Sequence, residues 1–246
     1  MGPLETGGQV GLGTLINVAC IVAGGLVGLL GRSLITERLQ EALLKSCGVA
    51  VLFVGLAGAL EKMLSVSDGH LTSGGTMLLV ASLAVGTVIG EAADIDGHFE
   101  RLGTWLRNRT GSSDDASFVN GFVTCSLTVC VGAMAIVGSI SDGLSGDWST
   151  LALKGALDAI IVCAMAASLG KGCVFAALPV GVFQGLVTLA AHALSPLVTA
   201  AALSNLSLVG SVLIFCVGVN LIWPRTFKPA NMLPAVVVAA ALAFVM

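Results

Sequence analysis

Residues 151–169 read LALKGALDAIIVCAMAASL. Lys154 and Asp158 are the only charged groups in this run. Its length is close to the ~20 apolar residues that carry a helix across a bilayer. Seven further apolar stretches flank it, giving eight in all: 10–31, 44–60, 76–92, 118–140, 151–170, 173–191, 206–223 and 232–246. The composition agrees. Of 246 residues, 56% are hydrophobic and 10% charged, and the mean hydropathy is +1.01. Soluble domains carry roughly 25% charged residues, so a water-soluble globule is excluded, and so is a disordered chain, which is poor in apolar residues. The runs are continuous rather than alternating, which predicts helices. The expected fold is an all-α polytopic membrane protein of about eight transmembrane helices. Residues 1–9 lack a basic signal region and read as a leader, leaving 10–246 as a single transmembrane domain.

Basic residues set the orientation. Arg32, Arg38, Lys45, Arg101, Arg107, Arg109, Lys171, Arg225 and Lys228 fall in the linkers after segments one, three, five and seven, whereas only Lys62 and Lys154 lie on the other side. By the positive-inside rule the nine mark the cytoplasm, and both termini are expected outside. Two of these linkers read as amphipathic helices lying on the membrane or packed on protein. One carries Ile35, Leu39, Ala42 and Leu43 on a face, the other Phe99, Leu102, Trp105 and Leu106. Residues 111–115, GSSDD, read as a turn.

Short matches hint at an internal repeat. GLVGL at 25–29 resembles GLVTL at 185–189, LFVG at 52–55 resembles IFCVG at 214–218, and Met77–Leu78 pairs more weakly with Met232–Leu233. Helices 1–3 would then correspond to helices 6–8. Five crossings separate each pair, so a repeat must be inverted. The alternative is chance similarity between apolar runs.

The charged pair carries the functional expectation. Lys154 and Asp158 are four residues apart and share a helix face. Asp158 lies roughly 10 Å below the outer surface, at a rise of about 1.5 Å per residue. An ionised group there costs about 2.5–3.5 kcal/mol, so it should face a partner, a polar cavity or an ion. One reading is a proton or cation site with Lys154 as counter-charge; the other is an ion pair that fastens helices. Asp142 and Asp147, beside Gly143 and Gly146, read as a cation-attracting vestibule or as an outer turn capped at Ser149. Asn17, Gln184 and Asn220 complete the candidate solute or ion pathway. Pro179, one turn before Gln184, is expected to kink its helix. Gly24-x-x-x-Gly28 marks close packing within the chain or between copies, leaving a homo-oligomer open.

Other chemistry is not indicated. The net charge of −3 gives no basis for nucleic-acid binding. Seven Cys occur without a CxxC pair and read as small hydrophobes. No metal cluster, cofactor motif or catalytic constellation is visible, so an enzyme is not expected. The expected partners are the lipid bilayer and a small solute or ion. A membrane scaffold or sensor that docks proteins through its cytoplasmic linkers is the competing reading.

A family resemblance bears on identity. GTLINVACIVAGGLVGLLG (13–31), CVGAMAIVGSISDGLSGD (130–147), KGALDAI (154–160), ALPVGVFQG (177–185) and NMLPA (231–235) resemble the YdfK/YqgA-like family of bacterial inner-membrane proteins. The resemblance covers nearly the whole chain. It implies location in the bacterial inner (cytoplasmic) membrane and brings no catalytic or binding residues with it.

Overall fold

A computed structural model describes residues 10–32, 36–67, 70–112, 117–130, 133–194 and 199–244. The leader at 1–9, residues 113–115 of the GSSDD turn, and residues 245–246 lie outside them. The elements are α1 (Leu12–Arg32), α2 (Glu37–Met63), strands β1 (Leu64–Ser67) and β2 (His70–Ser73), α3 (Thr76–Ala93), α4 (Ile95–Arg109), α5 (Phe118–Cys130) and α6 (Ala133–Ser145). They continue with α7 (Ser149–Leu169), a 3-10 turn (Lys171–Ala176), α8 (Ala177–Leu189), α9 (Ala191–Leu194), α10 (Ala200–Ile222), α11 (Pro229–Met232) and α12 (Pro234–Leu242).

Among the described residues, six helical stretches are long and apolar enough to cross a membrane: α1, α2, α3, α7, the 3-10 turn with α8, and α10. Helices α5 and α6 form a bent seventh stretch, inclined at 64° to one another. Residues Pro229–Leu242 form a shorter apolar segment. Large apolar side chains such as Leu30, Phe53, Val88 and Leu189 point outward, Leu189 at 83% exposure. In water such a surface would be an interaction patch on every side; in lipid it is the ordinary exterior. The protein is an all-α polytopic membrane protein.

Small residues bring the helices together, because apolar burial alone gives no preference for protein over lipid. Helices α1 and α7 run parallel. Gly13 meets Leu151, Asn17 meets Gly155, Gly24 lies on the Ala159 carbonyl and Gly28 on the Cys163 carbonyl. A methyl group at Gly24 or Gly28 would overlap those carbonyls, so the small-residue stripe is used within the chain. The other two large contacts are antiparallel. On α2 and α10, Gly55 receives Phe215 while Gly218 receives Leu52. On α3, Gly86 and Gly90 receive Ala235 and Asn231.

Two larger apolar clusters and two smaller ones result among the described residues. Of the larger two, one holds Ile21, Cys125, Val162, Met165, Cys173 and Val180 and draws on α1, α5, α7 and α8. The other holds Ala59, Leu78, Leu213, Ala235 and Ala239 and draws on α2, α3, α10 and α12.

Several local expectations change. The first amphipathic linker is no separate surface helix: α2 begins at Glu37 and runs unbroken for 27 residues, with the Thr36 hydroxyl accepting from the Leu39 N–H at 3.4 Å. No breaker interrupts the sequence, so the helix simply continues out of the bilayer. Helix α4 packs on protein. Phe99, Leu102 and Leu106 close over Phe118 and Phe122, while Trp105 stays exposed. Helix α8 starts at Ala177, so Pro179 sits in its first turn, where no N–H partner is lost. The irregularity lies upstream, in the 3-10 turn. Finally, β1 and β2 pair as an antiparallel hairpin, Val66 opposite Leu71. The Asp68-Gly69 dipeptide between two alternating runs is a strong hairpin signal.

Candidate functional site

Lys154 and Asp158 lie on the inner face of α7, 6% and 5% exposed. They form the ion pair that their spacing predicts, Lys154 Nζ donating to Asp158 Oδ2. The ammonium also donates to the Val129 carbonyl at 2.8 Å. Val129 is the penultimate residue of α5, so its carbonyl is among the last four of a helix and has no partner inside it. The interruption between α5 and α6 therefore supplies an acceptor, at the negative end of a helix, that holds a cation.

Two further amides are buried, Asn17 beside the pair and Gln184 on α8. Asn17, fully buried on α1, sits against Gly155 on one side. It is close enough to the Asp158 carboxylate to act on it electrostatically, yet neither of its side-chain polar atoms makes a hydrogen bond of normal geometry. Gln184 is 1% exposed on α8, and both of its amide atoms lack partners. Gly181 of α8 faces Val18, and Thr188 meets Thr14 at 3.5 Å between hydroxyls. Gln184 lies between these two contacts, on the α1 side of α8 and level with Asn17. Ser126 on α5 and Ser139 on α6 add buried hydroxyls without partners. An unsatisfied buried polar group costs about 1–3 kcal/mol, so each of these side chains is placed at a cost.

The end of the site facing Asp142 is closed. Asp142 is fully buried in α6, and its carboxylate accepts from the Gly11 N–H at 3.2 Å and the Gly13 N–H at 3.1 Å. It thereby caps α1, where a negative group suits the positive helix end. It does not line an open loop. Asp147 is exposed and accepts from the Ser149 N–H at 3.0 Å, capping α7 from two residues upstream. The hydroxyl and N–H of Ser149 hold its carboxyl below the ordinary value. A capped turn is therefore what the chain forms there, with Asp147 rather than Ser149 as the capping side chain.

The α4 end is open. A groove of about 250 Å³ lies between α4, α5 and α10 and is lined by Asp96, Glu100, Asn120, Thr124, Leu127 and Asn220 among others. Burial raises the carboxyl of Asp96, and the neighbouring Glu100 adds to the rise. Asn220 exchanges two hydrogen bonds of 2.9 Å with the backbone of Phe227, fastening the chain after α10. It belongs to the groove, at the far end of α10 from the hairpin. A larger groove of about 580 Å³ between α1, α2 and α7 is lined by Gly24, Gly28, Leu43, Ile160 and similar residues. It presents no polar side chain and is not a candidate site.

Sequence reading singled out Lys154, Asp158, Asn17 and Gln184; the fold buries all four and places Asn17 against the α7 turn that carries the pair. It missed the Val129 carbonyl, because a helix end inside an apolar run leaves no side-chain mark. It did not single out Asp96 and Glu100, since only α4 docking on α5 turns them toward a cavity.

Comparison with known proteins agrees with the membrane architecture. The chain is similar to "Uncharacterized membrane protein YdfK" of Bacillus subtilis (strain 168), at 26% identity over 233 residues, 95% of this chain and 96% of that protein. It is similar to "Uncharacterized protein YqgA" of Escherichia coli (strain K12), at 25% identity over 232 residues, 93% and 94% of the two chains. No solved structure is a significant match. The model of the family described as "Protein of unknown function (DUF554)" matches residues 12–244, and the chain belongs to that family.

Proposed function

We propose that this protein is a secondary transporter or channel-like carrier of a small solute or ion in the bacterial inner membrane. One observation carries the reading. A buried ammonium–carboxylate pair is tied to a carbonyl released where a span breaks, with the buried amide of Asn17 facing the carboxylate. Interrupted helices that turn their ends toward a polar site near the midplane are a recurrent means of holding cargo in carriers. The protein is not read as an enzyme.

The proposed topology has eight crossings with both termini outside. The parallel packing of α1 on α7 supports it, because it requires an even number of direction changes between them. The α5–α6 pair supports it too: Phe118 meets Gly172 at one end and Asp142 meets Gly13 at the other, as one full crossing would. An inverted repeat of helices 1–3 on helices 6–8 is part of the proposal. It is supported by antiparallel contacts within each pair: α1 with α8, α2 with α10, and α3 with α12. The two Val-Gly dipeptides, 54–55 and 217–218, fit it best, since each glycine receives the residue three before the other.

The purified chain in proteoliposomes, offered amino acids, organic acids, sugars and monovalent cations, tests the reading. Asp158→Asn is expected to slow flux of any carried solute at least tenfold. Flux unchanged in that variant removes the site assignment. The competing role, docking a protein partner, draws on Trp105, exposed at 58% on α4. A stoichiometric partner lost on Trp105→Ala would favour it.

A further inference from the structure

The groove at the α4 end points toward the buried pair. Along α5, Asn120, Thr124 and Thr128 repeat every four residues on one face, and they pass from exposed through half-buried to buried. They are linked: the Thr124 hydroxyl donates to Asn120 Oδ1 at 3.5 Å, and the Thr128 hydroxyl to the Thr124 carbonyl at 2.8 Å. At about 1.5 Å per residue this ladder covers roughly 12 Å. It ends one residue before Val129, whose carbonyl holds Lys154. Asn120, Thr124 and Leu127 all line the groove. Leu127 is 4% exposed and packs on Val217 and Ala230, two residues before Val129. The groove lining thus comes within two residues of the carbonyl that holds Lys154.

The charges at the mouth favour a positive ion. Asp96 and Glu100 face the groove, against Arg225 as the basic side chain in its lining. The opposite end is shut by the Asp142 cap and the Thr14–Thr188 contact. Lys154 already fills the cation position beside Asp158, so the species that can reach this carboxylate without displacing a side chain is a proton. Besides Lys154, the groups close enough to feel the Asp158 charge are Asn17 on α1 and Cys125 and Cys130 on α5.

We propose that the α4-end groove is the inner mouth of a proton path to Asp158, laid along Asn120, Thr124 and Thr128 and closed by Leu127. The proposal rests on the carrier reading and adds its coupling ion and its side of entry. In the step itself, hydronium in the groove water gives its proton to Asp158 and is left as water, with the carboxyl neutral and Lys154 held by the Val129 carbonyl alone.

Thiol labelling tests the path without needing a substrate. Full-length Asn120→Cys, Thr124→Cys and Thr128→Cys variants in oriented vesicles are treated with a membrane-impermeant methanethiosulfonate, and modification is read peptide by peptide by mass spectrometry. Asn120→Cys and Thr124→Cys are expected to react from the α4 side only. Thr128→Cys should react at least tenfold more slowly, and adding Leu127→Ala should restore most of that difference. No reaction at Thr124→Cys, or no effect of Leu127→Ala, overturns the path. Proton entry into liposomes loaded with a pH dye gives a second readout. Leu127→Ala is expected to raise it at least fivefold, and Asp158→Asn in that background to return it to the parent rate. A raised rate that survives Asp158→Asn overturns the link to the pair. Labelling as expected with no solute flux in any variant would leave the path standing and fail the carrier reading alone.

Discussion

The two halves of the molecule use the same means of association and differ in what they bury. Helices α1 and α7 meet across Gly24 and Gly28; helices α2 and α10 meet across Gly55 and Gly218. Both contacts put backbone against backbone. Yet among the described residues ten of the twelve buried polar side chains lie on α1, α5, α6, α7 and α8, and only Ser82 and Asn231 lie in the other half. The apolar half shows that this chain holds its helices together without buried charge. Polar groups in membranes add only about 0.6 kcal/mol each to helix association. Holding helices together is therefore a poor account of Lys154, Asp158, Asn17 and Gln184, and a polar task is a better one.

The largest effect should come from breaking the pair. Lys154→Met or Asp158→Leu alone leaves an uncompensated buried charge and is expected to cost about 3–5 kcal/mol. The double variant should recover most of that loss, because a well-packed apolar pair removes both desolvation penalties. Unfolding midpoints in mild detergent read this out. Single variants within about 1 kcal/mol of the parent would mean that the pair is hydrated, and the contrast between the halves would weaken.

A middle-sized effect should be shared by both halves. Gly28→Leu and Gly55→Leu each push a side chain into a facing backbone, and overpacking of this kind typically costs about 1–3 kcal/mol or more. Similar losses in the same unfolding assay would confirm a common packing device. A loss confined to one variant would show that the two contacts are not equivalent.

The smallest effect is the sharpest discriminator. Gln184→Leu removes two unpartnered polar atoms, so stability should stay within about 1 kcal/mol of the parent or rise. Solute flux should nevertheless fall. A marked loss of stability would instead show that Gln184 is held by a structural partner.

Much of this was legible in the sequence. Apolar length located the six helical stretches long enough to cross a membrane, and the four-residue spacing of Lys154 and Asp158 announced their pairing, since both properties are local. What escaped was set by long-range contact. Asp142 caps a helix end that lies 129 residues earlier in the chain, and no local pattern records that partner. The docking of α4 depended on Phe118 and Phe122 being in place to receive it. The hairpin was different: Asp68-Gly69 announced it, and the surrounding apolar runs drew attention away from that signal.

The parallel seat of α1 on α7 also has a consequence for biogenesis. Gly24 and its carbonyl partner at Ala159 are 135 residues apart. At synthesis rates of about 5–20 residues per second, α1 waits roughly 7–27 s for its partner to emerge. Throughout that interval its glycine face and Asn17 have only lipid, the insertion machinery or neighbouring helices to lie against. Helix α1 is thus made long before it can be locked in place, so chains stalled before residue 160 should be the preferred prey of membrane quality-control proteases.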